Sequence, residues 1–230
     1  MKKSILATLQ TLCFMMASHP SPLMADSQAK KHHAYIFATG PDLGLDKTSR
    51  QVIAHTQKLA NALKDRDTQS DIFSFDQLDL YEIKNIFKKL VEKYGKNLST
   101  TFIVNAHGYN VNGQYKFLGQ ANGKKVTYSE ERLHEMTGNT PSTIALLTCH
   151  AGLFSPKNPN IDVFGASTAE NILDELQFNA WIDEVINNPY SLKSLDDFNK
   201  SWKKGLHHVH KSHRLPFINI HRNQFTMFKT

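Results

Sequence analysis

Short runs of consecutive apolar residues, separated by segments of helical periodicity, are the feature that most restricts the fold of this chain. Continuously apolar runs are typical of strands covered on both faces, and five are predicted, over residues 34–39, 71–75, 101–106, 143–148 and 161–166. Apolar residues at helical spacing predict four helices, over residues 46–64, 80–94, 129–136 and 194–210. This alternation predicts an α/β fold, with a mostly parallel sheet and helices on both faces.

A turn pair and one further apolar segment complete the predicted elements. Asn122-Gly123 favours a two-residue hairpin turn, so residues 114–120 and 124–127 predict a β-hairpin between the third and fourth strands. Residues 216–220 predict a last strand. At 230 residues, the chain has the length of one domain with a full hydrophobic core.

The first 25 residues have the layout of a secretory signal peptide. Lys2 and Lys3 precede an apolar run from Ile5 to Ala17, which is shorter than the ~20 residues that a membrane-spanning helix needs. Cleavage after Ala25 would leave residues 26–230 as a single mature domain. The sequence therefore predicts a secreted or periplasmic protein with no membrane span after signal cleavage.

Charge argues against one class of partner. Removal of the signal segment takes away two lysines and no acidic residue, which lowers the formal net charge from +6 to +4. This excess is mild, and no basic stripe interleaved with aromatic residues stands out in the sequence. We therefore predict no nucleic-acid partner.

Signal cleavage would leave Cys149 as the only cysteine, because Cys13 lies in the signal segment. Structural cysteines of exported proteins are usually paired, so Cys149 is an inert buried thiol, half of an intermolecular disulfide, or a reactive group. Cys149 directly follows the predicted strand 143–148, and His107 directly follows 101–106. Because sites in parallel α/β sheets form beyond the carboxyl ends of the strands, we expect the two side chains to be neighbours.

A thiol and an imidazole held in this way have the chemistry of acyl transfer. A thiolate attacks carbonyl carbon, and a neighbouring imidazole activates it or protonates the leaving amine. Gly108 allows its backbone N–H to approach a substrate closely, and with the Cys149 N–H it is suited to form an oxyanion hole. Gly152 would let the chain turn sharply after the cysteine. This chemistry requires no cofactor.

Two blocks of sequence carry a resemblance to a known group of enzymes. Ile103–Gly108 (IVNAHG) and Ala145–Gly152 (ALLTCHAG) resemble the catalytic blocks of the caspase-like, or clan CD, cysteine peptidases. The legumain family is the nearest match, and the resemblance covers about residues 34–171. It implies a caspase-like three-layer sandwich and a cysteine endopeptidase that acts on peptide or protein substrates through Cys149 and His107.

Substrate contacts follow from the resemblance less directly. Residues 163–171 resemble the legumain strand that borders the primary specificity pocket, which makes Ser167 and Thr168 candidate substrate-binding residues. The region after the first strand also lines that pocket in the family, and Arg50 is the candidate there, although its spacing also fits a solvated helix face. The sequence departs from the family at Tyr109 and His150, where a glycine and an acidic residue are frequent.

Two other functions compete with this one. Gly165-Ala-Ser167-Thr-Ala169 is a near match to the G-x-S-x-G nucleophile elbow of serine hydrolases, with acids and histidines downstream such as Asp183 and His210. The final glycine is missing, however, and Ser167 with Glu170 equally forms a helix capping box.

The second alternative is a non-enzymatic metal-binding protein. Imidazoles close together on one helix can hold a metal ion, and the candidates are His207, His208, His210 and His213. A run of histidines among lysines at a helix end is also typical of a solvated face.

Overall fold

The computed structural model describes the backbone of residues 31–41, 47–167, 175–213 and 227–228, and the side chains of residues 31–41, 53–167 and 177–207. All of these belong to one compact unit, Lys31–Thr230. The predicted signal segment and the predicted strand over 216–220 lie outside the described residues, so both stay predictions. Within the described part, no helix has the length and apolar character needed to cross a membrane.

Strands and helices alternate along most of the chain. The described strands are β1 His32–Thr39, β2 Asp71–Phe75, β3 Leu98–Asn105, β4 Gly108–Val111, β5 Gln114–Ala121, β6 Lys124–Ser129, β7 Ser142–Leu147, β8 Ile161–Gly165 and β9 Met227–Phe228. The described helices are α1 Lys47–Arg66, α2 Leu80–Tyr94, α3 Glu130–Thr137, α4 Glu175–Asn187 and α5 Leu195–His213. The five apolar runs predicted to be strands are confirmed, with ends that differ by a few residues at most.

The main sheet has the strand order β2-β1-β3-β7-β8-β9. Its neighbouring strands are parallel, except that β9 runs antiparallel to β8. Successive side chains of β1 enter two different hydrophobic cores: Ala34 and Ile36 lie in the core with α2 and α3, and Tyr35 and Phe37 in the core with α1, α4 and α5. Both faces are therefore covered, which explains the absence of polar alternation in the strands. The predicted α/β class with a mostly parallel sheet is confirmed.

Helix α2 shows how local sequence sets an element. The Asp79 carboxylate accepts hydrogen bonds from the backbone N–H groups of Tyr81 and Glu82, at 2.9 and 3.3 Å, and so caps the first turn. The helix ends at Gly95, whose φ of 54° is readily adopted by glycine. Its buried side chains follow helical spacing and face the sheet: Leu80, Ile83, Phe87 and Leu90. The predicted helix over 80–94 is confirmed.

A second sheet, β4-β5-β6, is an antiparallel meander inserted after His107. Both of its turns are Asn-Gly pairs with positive φ, Asn112-Gly113 (55° and 79°) and Asn122-Gly123 (50° and 75°), as two-residue hairpins require. The hairpin predicted at Asn122-Gly123 is confirmed. Strand β4 and the first turn were not predicted, although Asn112-Gly113 carries the same signal.

Candidate active site at the carboxyl edge of the sheet

Strands β3 and β7 bring the two predicted catalytic residues to one edge of the sheet. These strands are adjacent and parallel, with Asn105 opposite Leu147. His107 and Cys149 each follow two residues later, and both side chains are half-buried. Since neighbouring strands lie about 4.8 Å apart, equal offsets from a paired position leave the two residues on adjoining segments. Cys149 is the only cysteine in the described residues.

Gly108 packs directly against the backbone of the cysteine. A Cβ atom at position 108 would lie 1.9 Å from the Cys149 carbonyl oxygen and 3.0 Å from Thr148 Oγ1. Glycine is therefore required at position 108 because the Cys149 backbone lies too close for a Cβ atom, and not because of its backbone angles. This contact holds the segment His107-Gly108 against Thr148-Cys149, as the order of the two sequence blocks predicts.

The ladder between β4 and β5 fixes the direction of the Gly108 N–H. The Leu118 N–H donates to the His107 carbonyl at 2.9 Å, so His107 and Leu118 form a hydrogen-bonded antiparallel pair. The next pair, Gly108 with Phe117, is then a non-hydrogen-bonded pair. The Gly108 N–H consequently points away from β5, which is the geometry that a donor to a ligand at this edge needs.

The chain turns immediately after Cys149 by using an unusual backbone conformation. His150 is left-handed, with φ 57° and ψ 20°, and a short 3-10 turn follows over Ala151–Leu153. Gly152 was expected to permit this sharp turn, but it lies within the 3-10 turn and is not among the residues with positive φ. The expectation was wrong because the bend lies at His150, directly after the cysteine, and this histidine itself adopts the left-handed conformation.

Ser167 contacts the cysteine loop through hydrogen bonds. It lies just beyond β8 and is only 3% exposed. Its hydroxyl donates to the Thr148 carbonyl at 2.8 Å and accepts from the Ala151 N–H at 2.9 Å. A hydroxyl whose proton is bonded to a carbonyl is not activated by a base, so this arrangement does not favour the serine-hydrolase alternative. Asp183, the acid of that alternative, is exposed and lies 3.9 Å from Lys58.

Tyr115 is a site residue that was not predicted from the sequence. It is 1% exposed on β5, and its hydroxyl lies 2.6 Å from Thr148 Oγ1. Burial raises the pKa of Tyr115 well above its usual range; the hydrogen bond with Thr148 opposes this rise, and negative charge on Cys149 adds to it. The phenol therefore stays neutral and supports the strand end that carries Cys149. No motif or periodicity distinguishes this tyrosine in the sequence.

Other predicted site residues are only partly described. Arg50 lies in α1, but its side chain is outside the described residues, as is all of Thr168. His207 is exposed on α5, and the side chains of His208, His210 and His213 are not described. Among the side chains that are, no group of three or more His, Cys, Asp or Glu residues could hold a metal ion. The substrate contacts of Arg50 and Thr168 and the metal-binding alternative stay predictions.

The architecture and this edge together define an α/β protein with a mostly parallel sheet, in which a histidine and a cysteine follow adjacent core strands. No family model matches the sequence, and no curated protein matches it. Similar folds occur among solved structures. Raptor from Chaetomium thermophilum is 11% identical with a TM-score of 0.54, over 76% of this chain and 20% of that one.

Two caspases are also similar. The Drosophila initiator caspase Dronc is 16% identical with a TM-score of 0.43, over 76% of this chain and 72% of that one. Caspase-1 from Spodoptera frugiperda is 12% identical with a TM-score of 0.48, over 77% of each chain. With identities this low, the similarities say nothing about function, and of the three only that to Raptor, with a TM-score above 0.5, bears on the fold. The predicted α/β fold class, a mostly parallel sheet with helices on both faces, is confirmed by the sheet order and the two cores, whereas the caspase-like assignment and membership of the legumain family stay predictions.

Proposed function

We propose that the protein is a cysteine peptidase in which Cys149 is the nucleophile and His107 its acid–base partner. The observation that carries this proposal is the packing of Gly108 on the Cys149 carbonyl, 1.9 Å from a Cβ that any other residue would add. This contact keeps the two half-buried side chains on adjoining segments at the edge where sites of parallel sheets form. The α/β fold, in which the two residues follow adjacent parallel strands, is consistent with the proposal.

The reaction proceeds by two acyl transfers. The Cys149 thiolate attacks the carbonyl carbon of the peptide bond, the C–S bond forms, and the carbonyl electron pair moves to oxygen. When this intermediate collapses, the C–N bond breaks and the leaving amine takes a proton from the His107 imidazolium. Neutral His107 then takes a proton from water as the water oxygen attacks the thioester, and Cys149 leaves as a thiolate.

Backbone donors stabilise the negative oxygen in both steps. In the proposed mechanism these donors are the N–H groups of Gly108 and Cys149. The direction of the Gly108 N–H, away from β5, supports the first assignment. A buried donor of this kind is worth several kcal/mol in the transition state because it is already oriented.

Substrate class and location complete the proposal. We infer that the substrates are peptides or proteins and that the legumain family is the nearest relative, on the sequence blocks around His107 and Cys149. We also propose export, on the basic and apolar pattern of residues 1–25. Edman sequencing of the protein secreted by a bacterial host would test this, with a chain starting at Asp26 as the expected result.

Active-site labelling tests the nucleophile. Folded, reduced protein would be treated with iodoacetamide or a peptidyl acyloxymethyl ketone, and the labelled residue located by peptide mass spectrometry. We expect rapid labelling of Cys149 that falls on the order of tenfold or more in His107→Ala, since the imidazole favours the thiolate. His207→Ala, at an exposed position of α5, is the matched control and should label like the wild type.

Cleavage of a peptide library then tests the activity. Wild-type protein should cut, and Cys149→Ala should not. Labelling of Cys149 only after denaturation would contradict the proposal, and so would peptide cleavage that survives Cys149→Ala but not Ser167→Ala.

A further inference from the structure

The segment that carries the nucleophile is fastened at two points by a single side chain. Thr148 and Ala151 flank the cysteine and the left-handed His150. The Ser167 hydroxyl donates to the Thr148 carbonyl at 2.8 Å and accepts from the Ala151 N–H at 2.9 Å. One buried oxygen atom therefore closes a loop around Cys149 and His150.

The position of Ser167 is itself fixed by the main sheet. Strand β8 pairs with β7 up to Leu146 and Gly165, and the Ala166 N–H donates to the Leu146 carbonyl at 3.0 Å. Gly165 also packs closely on the loop, since a Cβ there would lie 3.2 Å from the Ala151 Cβ. The serine thus extends from a rigid strand end onto the neighbouring strand's loop.

The backbone of the loop needs such a support. A left-handed histidine persists only where the surroundings hold it in that conformation, and His150 has a φ of 57°. The two groups that Ser167 bonds lie immediately before and after the Cys149-His150 pair. Without the Ser167 hydroxyl, the Thr148 carbonyl and the Ala151 N–H would each lose a buried hydrogen-bond partner, and the loop would be free to relax.

We propose that Ser167 is a positioning residue that acts through Cys149, and not a nucleophile or a substrate contact. It holds the cysteine loop in the conformation that directs the thiol toward His107. This inference rests on the proposed function, because it concerns the reactivity of the same thiol. The resemblance of residues 163–171 to a specificity strand implies that Ser167 contacts substrate, whereas this inference gives Ser167 the role of positioning the cysteine loop.

The test compares Ser167→Ala with a matched control, Ser201→Ala. The Ser201 hydroxyl is also fully buried, and it also accepts from an N–H, that of Trp181 at 2.9 Å, while donating to a carbonyl, that of Phe198 at 3.0 Å. It lies on α5, apart from the hydrogen bonds of the cysteine loop. Both variants lose one bridging hydroxyl, so both should be destabilised to a similar degree.

Only Ser167→Ala should change the thiol. We expect the rate constant for iodoacetamide labelling of Cys149 at pH 7 to fall about tenfold. The net free energy of one or two hydrogen bonds changes a local conformational equilibrium by about this factor. The midpoint of the labelling rate against pH should also move toward that of an ordinary thiol, about 8.5. Ser201→Ala should leave both quantities unchanged.

A double-mutant cycle with His107→Ala identifies the route of the effect. If Ser167 acts by directing Cys149 toward His107, then Ser167→Ala should cause no further loss in the His107→Ala background. An equal loss in both backgrounds would overturn the proposal, as would a folded Ser167→Ala protein with the wild-type rate and pH midpoint. Should Ser167→Ala fail to fold, Ser167→Thr keeps the hydroxyl, and a folded Ser167→Thr with a tenfold slower thiol would contradict the proposal.

The two proposals fail in different ways. A wild-type thiol that His107→Ala does not slow contradicts the peptidase mechanism, and the role of Ser167 with it. A wild-type thiol that is slowed by His107→Ala but not by Ser167→Ala contradicts the positioning role alone.

Discussion

Replacement of Gly108 by alanine is the most direct perturbation of the proposed site. The new Cβ would lie 1.9 Å from the Cys149 carbonyl oxygen and 3.0 Å from the Cys149 carbonyl carbon. Real Cβ contacts are essentially never shorter than 3.0 Å, so the two strand ends must separate by at least about 1 Å. Both atoms belong to the backbone, and no side chain can rotate away to absorb the overlap.

The displacement sets the expected magnitude. A shift of about 1 Å between reacting groups lowers a rate on the order of 10²-fold, and both the labelling of Cys149 and any peptide cleavage depend on the geometry of His107. Overpacking of this kind also costs about 1–3 kcal/mol of stability. Gly108→Ala should therefore fold less stably and lose about two orders of magnitude in kcat/KM, with a parallel loss in the labelling rate.

Gly138→Ala is the control that separates geometry from stability. Gly138 ends α3 with a φ of 52°, and no atom lies within 4 Å of the position that a Cβ would take, so alanine there meets only backbone strain, about 1–3 kcal/mol. Urea unfolding should show similar losses for the two variants, while only Gly108→Ala loses reactivity. A folded Gly108→Ala protein with a wild-type labelling rate would refute the argument that this contact sets the site.

Two further predictions concern stability. Burial, and after it the positive charge of Lys193, lowers the pKa of His33 from 6.5 to about 4. As the pH falls, His33 therefore binds a proton in the unfolded chain before it does so in the folded protein. The contribution of neutral His33 to the free energy of unfolding is complete above about pH 6.5 and is lost toward pH 4, a loss of about 3 kcal/mol. Urea unfolding across this range should show a weaker pH dependence for His33→Gln, and an unchanged slope would contradict it. Asp79→Ala should lower the free energy of unfolding by about 1 kcal/mol because the cap on α2 is lost. Urea unfolding would measure this loss, with Asp76→Ala at an exposed position as the control. Equal losses in the two variants would contradict the role of Asp79 as a cap.

The secondary structure was largely readable from the sequence because it depends on local periodicity. Continuous apolar runs identified β1, β2, β3, β7 and β8, since a strand buried on both faces has no polar positions. Helix α2 was predicted from Leu80 to Tyr94 because its apolar spacing and terminal glycine lie within the segment itself. The strand β4 was missed although Asn112-Gly113 predicts its turn, because the segment is short and only partly apolar.

Some features of the candidate site were likewise predictable from the sequence and others were not. His107 and Cys149 were predicted as neighbours because both directly follow strands, and a parallel sheet gathers such positions at one edge. Tyr115 was missed because its hydrogen bond with Thr148 spans 33 residues, and no local pattern records a partner that far away. The turn after the cysteine was assigned to Gly152 instead of His150 because the conformation of a loop depends on what holds it.

The sequence by itself therefore determined most of the segments that become strands and helices, although not β4 or α4, and it determined which two reactive side chains follow adjacent strands. Only the tertiary structure decided how closely those ends approach. It set the contact of Gly108 with the Cys149 carbonyl, and it gave Ser167 its bonds to Thr148 and Ala151. The physical reason is that periodicity reports whether a residue is buried, whereas close packing and hydrogen bonds between distant segments exist only once the sheet has brought those segments together.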